Sequence, residues 1–150
     1  GIPDLAERII IERDLTLLED FNCRYHISQI SSSKSVDVIK KKKDAVKFTT
    51  GVSINNLSLN ENDIGDFRTF LKLSPPLRTE EDRKSLVEAI NKDLIDVIVS
   101  DHKPEDEESK RLTFSQAATG ASGIETLLPL ALEQYHNNSI KLFNICKNNG

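Results

Sequence analysis

The chain has 150 residues, of which 37% are hydrophobic and 29% charged, and its net charge is −4. These values are typical of one globular domain, and the negative charge argues against a general nucleic-acid binder. No apolar run approaches the ~20 residues that cross a bilayer, so we expect no membrane segment. The two cysteines, Cys23 and Cys146, have no metal-ligand spacing and fit a reducing cytoplasm. The lack of methionine, even at position 1, predicts a piece or a processed product of a longer polypeptide.

The first half of the chain shows helical periodicity alternating with short β-branched runs. We predict a helix up to about residue 21, a strand over 25–30, a serine-capped helix that runs into the lysines at 40–43, and a strand over 46–53. We interpret the lysines as the solvated end of a helix, where they complement the helix dipole, rather than as an anion-binding patch. Residues 55–66 are predicted as a loop with at most one helical turn.

The second half continues the alternation. We predict a third strand over residues 70–73, a helix capped by Thr79, a buried strand over 94–99, an acidic loop over 105–108, a helix after Gly123 and a last helix over 139–146. Strands that alternate with helices indicate parallel β-α-β units. Four such strands fit either a small doubly wound domain or part of a barrel, and periodicity does not choose between them.

Five segments of the chain carry a recognisable pattern. They are R-Y-H-I-S-Q-I-S at 24–31, V-S-I-N-N-L at 52–57, L-S-P-P-L-R-T-E-E-D-R at 73–83, I-D-V-I-V-S-D-H-K-P at 95–104 and G-A-S-G-I-E-T at 120–126. In order and separation they resemble R-Y-H-x-x-H-V-S, V-T-P-H-H-L, N-P-P-L-R-x-x-x-D-R, I-D-x-I-A-T-D-H-A-P-H and F-G-I-x-G-x-E-T of class I dihydroorotases, in the amidohydrolase superfamily. The resemblance implies an α/β fold: one barrel fragment over 1–150, about the last four strands, with their helices, of a (β/α)8 TIM-type barrel.

The resemblance also implies a catalytic site. The family holds two zinc ions with an H-x-H pair, a bridging carboxylate and further histidines, and an aspartate acts as the metal-side general base. The H-x-H pair and the bridging carboxylate are expected upstream of Gly1. Asp101 matches the aspartate and is the candidate catalytic and metal-side residue of this chain. The alternative is that Asp101 only caps the end of a strand.

The other family positions are mostly substituted. Gln29 stands at a histidine ligand position, and Asn55 and Asn56 stand at the H-H pair. The resemblance implies four substrate-binding positions: Ser74 at an asparagine, Glu105 at the second histidine of D-H-A-P-H, Thr119 at the loop phenylalanine, and Gly120 beside it. An amide oxygen is a poor zinc ligand. Glu105 also puts a negative charge where the family meets an anionic substrate. We therefore predict that this chain alone binds no zinc.

The three histidines share no metal-ligand spacing. We predict His26, in the middle of a strand, to be a packed core or interface histidine. His102 follows Asp101, so in a strand it faces the opposite side, and we expect it to make a structural hydrogen bond. His136 is expected near a helix end, without a catalytic role.

The leading functional hypothesis is a catalytically degenerate dihydroorotase homologue. By resemblance, it is a structural partner of aspartate transcarbamoylase in pyrimidine biosynthesis. Half a barrel leaves sheet edges and an apolar interior uncovered, so the missing strands are expected from the same polypeptide, from a partner or from a homo-oligomer. One alternative is an active zinc-dependent dihydroorotase or related cyclic amidohydrolase with its other ligands upstream. A further alternative is an isolated fragment without a function of its own.

Overall fold

The computed structural model describes residues 2–21 and 23–141, which adopt an α/β fold. The helices and strands are α1 (Asp4–Leu17), β1 (Tyr25–Ile30), α2 (Ser33–Lys42), β2 (Phe48–Ser53), α3 (Ile54–Ser58), α4 (Glu80–Asn91), β3 (Val97–Val99), α5 (Glu107–Lys110) and α6 (Leu127–His136), with 3-10 helices at Glu61–Ile64 and Thr69–Leu71. The strands form one parallel sheet in the order β1-β2-β3. Each strand thus lies next to the one that follows it in sequence, and the predicted β-α-β units are confirmed.

The sheet has one covered face. In β1 and β2 the register pairs Ile27 with Thr50 and Ile30 with Val52, and Val52 pairs with Ile98 of β3. These side chains are buried, and the four apolar ones belong to a cluster that includes Leu15 of α1, Ile39 of α2 and Ile90 of α4. The opposite face carries the exposed residues His26, Ser28 and Thr49. The core therefore lies between the sheet and its outer helices.

The start of α2 is fixed by carboxylates from two other helices. Glu7 of α1 accepts hydrogen bonds from the backbone N–H and hydroxyl of Ser31, at 2.9 and 2.5 Å, and from the hydroxyl of Ser35. Asp82 of α4 accepts from the backbone N–H and hydroxyl of Ser33, at 2.8 and 2.7 Å. Negative groups at a helix start satisfy its free N–H groups and suit its dipole. The predicted serine cap is confirmed at Ser32, which accepts from the backbone N–H of Ser35.

The segment before α4 ties separate parts of the fold together. Arg78 donates to the hydroxyl of Ser31 at 3.1 Å and to the backbone oxygen of Ile2. Arg83 forms a two-pronged pair with Glu80 and donates to the backbone oxygen of Leu57 at 2.9 Å. The predicted cap of α4 is also confirmed, because the hydroxyl of Thr79 accepts from the backbone N–H of Asp82.

The strand predicted over residues 70–73 is wrong. Thr69–Leu71 is a 3-10 helix, so the described residues form three strands rather than four. Phe70 is 68% exposed, and the backbone N–H of Lys72 bonds locally to Thr69 instead of to a neighbouring strand. The apolar run that suggested a strand is therefore a turn that exposes Phe70 and buries Leu73. The fragment of a barrel with four strands is not what these residues form.

Other element boundaries also differ from the prediction. The strand expected over 94–99 is shorter, Val97–Val99, and α1 ends at Leu17. The loop expected over 55–66 contains α3 and a 3-10 helix. The expected helices after Thr79 and Gly123 are confirmed, and so is the lysine run at the end of α2. Of the helix expected over 139–146, residues 139–141 are not helical and the rest lies outside the described residues. Within those residues no helix is long and apolar enough to cross a membrane.

Candidate functional site

Polar side chains gather where the three strands end. Gln29 is the next-to-last residue of β1, Asn55 follows β2 by two positions, and Asp101 follows β3 by two. The carboxyl ends of parallel strands meet at one edge of a sheet, where α/β proteins place their sites. The Gln29 amide nitrogen donates a 3.0 Å hydrogen bond to a carboxylate oxygen of Asp101. The structure thus brings together the substituted ligand position and the candidate catalytic aspartate.

Asp101 has an unusual backbone. Its φ is +50°, in the left-handed region that side chains other than glycine seldom adopt. Aspartate and asparagine tolerate this region better than most residues, because their short polar side chains can hydrogen-bond locally. Strained backbone of this kind clusters at functional sites. Asp101 is half-buried, so part of this residue is accessible to solvent beside the amide of Gln29.

The two asparagines after β2 are buried and incompletely bonded. The side chain of Asn56 donates to the backbone oxygen of Pro76 at 3.1 Å, and the backbone N–H of Asn55 donates to the hydroxyl of Ser53. The amide nitrogen of Asn55 and the amide oxygen of Asn56 are buried without a hydrogen-bond partner. Each such atom costs on the order of 1–3 kcal/mol. Buried polar atoms at this edge of the sheet therefore lack hydrogen bonds, in contrast to those at the start of α2.

Gly51 sets the spacing between β1 and β2 beside Gln29. A side chain at position 51 would place its Cβ 2.3 Å from the backbone oxygen of Ser28. Atoms do not approach so closely without a backbone shift. The absence of a side chain here thus permits the close approach of the two strands just before Gln29.

The remaining candidate positions lie in loops around this edge. Ser74 is exposed and precedes a cis proline, Glu105 is half-buried and pairs with Lys103 at 3.5 Å, and Thr119 is half-buried. Gly120 is buried with φ +141°, and its N–H donates to the backbone oxygen of Lys72 at 2.9 Å. In the described ranges, no hydrogen bond joins Ser74 or Thr119 to Gln29 or Asp101. The structure unites two of the six predicted site residues.

A buried lysine that the sequence analysis did not single out holds these loops. The ammonium of Lys110 donates to the backbone oxygens of Thr69 and Ala118, at 3.1 and 2.9 Å. Burial lowers the pKa of this ammonium, and the negative charge of Glu105 only partly opposes the shift. Lys72 similarly donates to the backbone oxygens of residues 115 and 117. Lysine in a short polar helix gives no sequence signal of burial, which is why this contact was missed.

The histidines have structural surroundings. The Nδ1 atom of His102 accepts from the backbone N–H groups of Gly123 and Ile124, at 3.1 and 3.2 Å, which confirms the expected structural hydrogen bond. His26 is exposed and shares a 2.7 Å hydrogen bond with Thr49, so it is not a packed core residue, and its alternative place in an interface stays a prediction. It lies on the open face of the sheet, which single-sequence burial preferences do not reveal. His136 ends α6, as expected.

The donor set at this edge does not fit zinc. Zinc in proteins takes imidazole nitrogen, thiolate sulfur and carboxylate oxygen. Of the side chains named where the three strands end, one is a carboxylate, that of Asp101, and the others are the amides of Gln29 and Asn55. The amide nitrogen of Gln29, which faces Asp101, has no free electron pair for a metal. Among residues 2–21 and 23–141, no group of three or more histidine, cysteine, aspartate or glutamate side chains could hold a metal ion.

Curated proteins similar to this chain are dihydroorotases. One from Ehrlichia canis (strain Jake) is 43% identical over 147 residues, which are 97% of this chain and 33% of that protein. One from Bacillus licheniformis is 41% identical over 131 residues, or 87% of this chain and 31% of that protein. No family model matches.

Solved structures with the same fold are hydantoinases. An L-hydantoinase (dihydropyrimidinase) from Arthrobacter aurescens has a TM-score of 0.91 and 25% identity, covering 97% of this chain and 34% of its own. A D-hydantoinase has a TM-score of 0.88 and 22% identity over the same shares. The chain thus spans about a third of the curated relatives that it matches. Over almost all of its length, this chain is homologous to the dihydroorotases, as the sequence motifs indicated.

Proposed function

We propose that this chain is the C-terminal part of a dihydroorotase-like protein of the cytoplasm that keeps the framework of the fold and has lost hydrolysis. Three parallel strands in sequential order support a place in a (β/α)8 barrel, where neighbours in sequence are neighbours in space. The chain matches 33% of the dihydroorotase from Ehrlichia canis, so the remaining strands of a barrel would come from other polypeptide. The proposed role is structural, within a protein of pyrimidine biosynthesis.

The hydrogen bond between Gln29 and Asp101 carries this proposal. Zinc hydrolysis needs imidazoles and carboxylates that converge on one point. Here an amide occupies the position that resembles a histidine ligand, and its N–H group points at the carboxylate that resembles the general base. The amide thus satisfies the carboxylate with a proton donor instead of holding a metal beside it.

Metal analysis and a dihydroorotate hydrolysis assay test the proposal, on this chain and on the complete polypeptide that contains it. We expect zinc well below one equivalent and the same background rate for the wild type and Asp101→Asn. Asparagine keeps the shape and an acceptor for Gln29, so this variant isolates the role of the negative charge. One equivalent of zinc, with turnover that disappears in Asp101→Asn, would show that the protein is an enzyme.

The structural role needs a surface that another polypeptide covers. Both β1 and β3 have one edge without a neighbouring strand among the described residues, and the face with His26 and Thr49 is open. We propose aspartate transcarbamoylase or the missing part of the barrel as the partner, and a homo-oligomer as the alternative. A pull-down with purified aspartate transcarbamoylase, beside light scattering of the chain alone, separates these partners. A monomer that captures neither would instead favour an isolated fragment.

A second candidate function is an active zinc-dependent cyclic amidohydrolase whose other ligands lie in further polypeptide. The retained Asp101, in its left-handed conformation at the end of β3, favours this candidate. It requires an H-x-H pair in the part of the protein that precedes this chain, and sequencing of the complete gene decides that directly.

A further inference from the structure

Two segments near the carboxyl edge of the sheet lie outside the hydrophobic core. They are residues 67–72, around the second 3-10 helix, and residues 106–120, which include α5. The structure describes both in full, and neither contributes a side chain to the apolar cluster between the sheet and its outer helices. Of their residues only Lys110, Ala117 and Gly120 are buried. Apolar burial therefore contributes little to holding these segments in place.

Lys110 joins the two segments through its side chain and through its backbone. Its ammonium donates to the backbone oxygens of Thr69 in the first segment and of Ala118 in the second. Its own backbone oxygen accepts a 2.5 Å hydrogen bond from the hydroxyl of Thr69. Hydrogen bonds from a charged donor are stronger than those between neutral groups. Because Lys110 is only 6% exposed, these contacts lie between the two segments rather than on their surface.

Lys72 makes a second connection of the same kind. Its ammonium donates to the backbone oxygens of residues 115 and 117, at 3.0 and 2.6 Å, and lies 5.8 Å from the centre of the Phe114 ring. Its backbone oxygen accepts from the N–H of Gly120 at 2.9 Å. The two lysines therefore join residues 67–72 and 106–120 into one unit.

This unit has few contacts with the rest of the chain. Among residues 2–21 and 23–141, no hydrogen bond or ion pair joins it to the three strands or to helices α1–α4 and α6. Phe67, at its beginning, has a φ of +57°, in the left-handed region that bulky residues seldom adopt. Strained backbone of this kind occurs in segments that switch between conformations. Regions with few buried apolar contacts also open at a lower free energy than the core.

We propose that residues 67–72 and 106–120 form a lid that opens as one unit, and that Lys72 and Lys110 are the residues that hold it closed. The lid ends beside the carboxyl edge, because a Cβ at Gly120 would lie 2.5 Å from the backbone oxygen of Lys103, two positions after Asp101. The contacts that close the lid lie within this chain and require no partner. Its opening would change access to Asp101 whether or not the protein hydrolyses a substrate.

Hydrogen exchange measured by mass spectrometry tests the lid, on the complete polypeptide that contains this chain. In the wild type, peptides from both lid segments should exchange faster than peptides from β1 and β2, because the lid lies outside the apolar core. Lys110→Met removes two charge-assisted hydrogen bonds but keeps an unbranched side chain. It should speed exchange at least about tenfold in both segments, and leave β1 and β2 unchanged.

Two further variants make this test specific. Lys72→Met removes the less buried lysine and should speed exchange in the same two segments. Lys84→Met removes a lysine that is 72% exposed on α4, and should leave exchange in the lid unchanged. An increase confined to the segment that carries the mutation would show two independent loops and overturn the proposal. Equal increases in β1 and β2, or wild-type lid segments as protected as these strands, would overturn it too.

Rescue by a free ammonium separates hydrogen bonding from the filling of space. In Lys110→Ala, added n-propylammonium supplies the atoms that the substitution removes, so it should slow exchange in residues 67–72 towards the wild-type rate. n-Propanol at the same concentration and ionic strength has a similar volume but no charge, and should not restore slow exchange. Equal rescue by both compounds would reduce the contribution of Lys110 to packing and overturn its proposed role.

Discussion

Two regions of the molecule differ in how they relate to the dihydroorotase pattern. The segment over residues 73–83 matches it at Arg78, Asp82 and Arg83, and these side chains join α4 to the start of α2, to the start of the chain and to α3. The carboxyl edge of the sheet departs from the pattern at Gln29 and Asn55, and it contains buried polar atoms without partners. Arg78, Asp82 and Arg83 thus maintain the framework, whereas the substitutions at Gln29 and Asn55 lie where chemistry would take place.

The framework should respond most strongly to mutation. Asp82 is 8% exposed and accepts hydrogen bonds from Ser33 and Thr79. Asp82→Ala removes a buried, charged acceptor of three hydrogen bonds from Ser33 and Thr79, so we expect a loss of about 2–3 kcal/mol in the free energy of unfolding. Urea denaturation at pH 7 measures it. Glu81→Ala, at the exposed neighbouring position, is the matched control and should change stability by less than about 0.5 kcal/mol. Equal losses of stability in Asp82→Ala and Glu81→Ala would contradict the role given to the hydrogen bonds of Asp82.

Acid should weaken the same region. Burial opposes ionisation of Asp82, but hydrogen bonds from Ser33 and Thr79 outweigh it and hold the pKa of this carboxyl below the ordinary 3.8. A carboxyl whose pKa is lower in the folded state stabilises the fold above its ordinary pKa, and this contribution is lost as the pH falls through the folded value. We therefore expect the difference in the free energy of unfolding between wild type and Asp82→Ala to decrease below about pH 4, as measured by urea denaturation between pH 6 and pH 2. A constant gap would exclude ionisation of Asp82 as the cause.

The carboxyl edge should respond least. In Asp101→Gly, glycine relieves the left-handed backbone, which gains about 0.5–1 kcal/mol, while the lost hydrogen bond to Gln29 costs about as much. The net change in the free energy of unfolding should stay within about 1 kcal/mol. Thermal melting of this variant next to Asp82→Ala gives the comparison directly. A loss as large as that of Asp82→Ala would assign Asp101 to the framework.

The sequence predicted well what depends on local pattern and poorly what depends on tertiary contact. Caps at Ser32 and Thr79 and the three observed strands were predictable, although β3 is shorter than predicted, because side-chain periodicity and capping chemistry are local. The 3-10 helix at Thr69–Leu71 was not, because an apolar run does not reveal whether another strand is available for pairing. At the site, motif order identified Gln29 and Asp101 as positions of interest. Their direct hydrogen bond spans 72 residues of sequence, so only the fold could reveal it.

The tight contact at Gly51 has a consequence for what changes this protein tolerates. Any side chain at that position would have to push β1 away from β2, because Ser28 blocks the space. Gln29 follows Ser28 directly, so the same displacement would carry its amide away from Asp101. The spacing between β1 and β2 at Gly51 is therefore fixed by the backbone, and a substitution there would alter the contact between Gln29 and Asp101 although it touches neither residue.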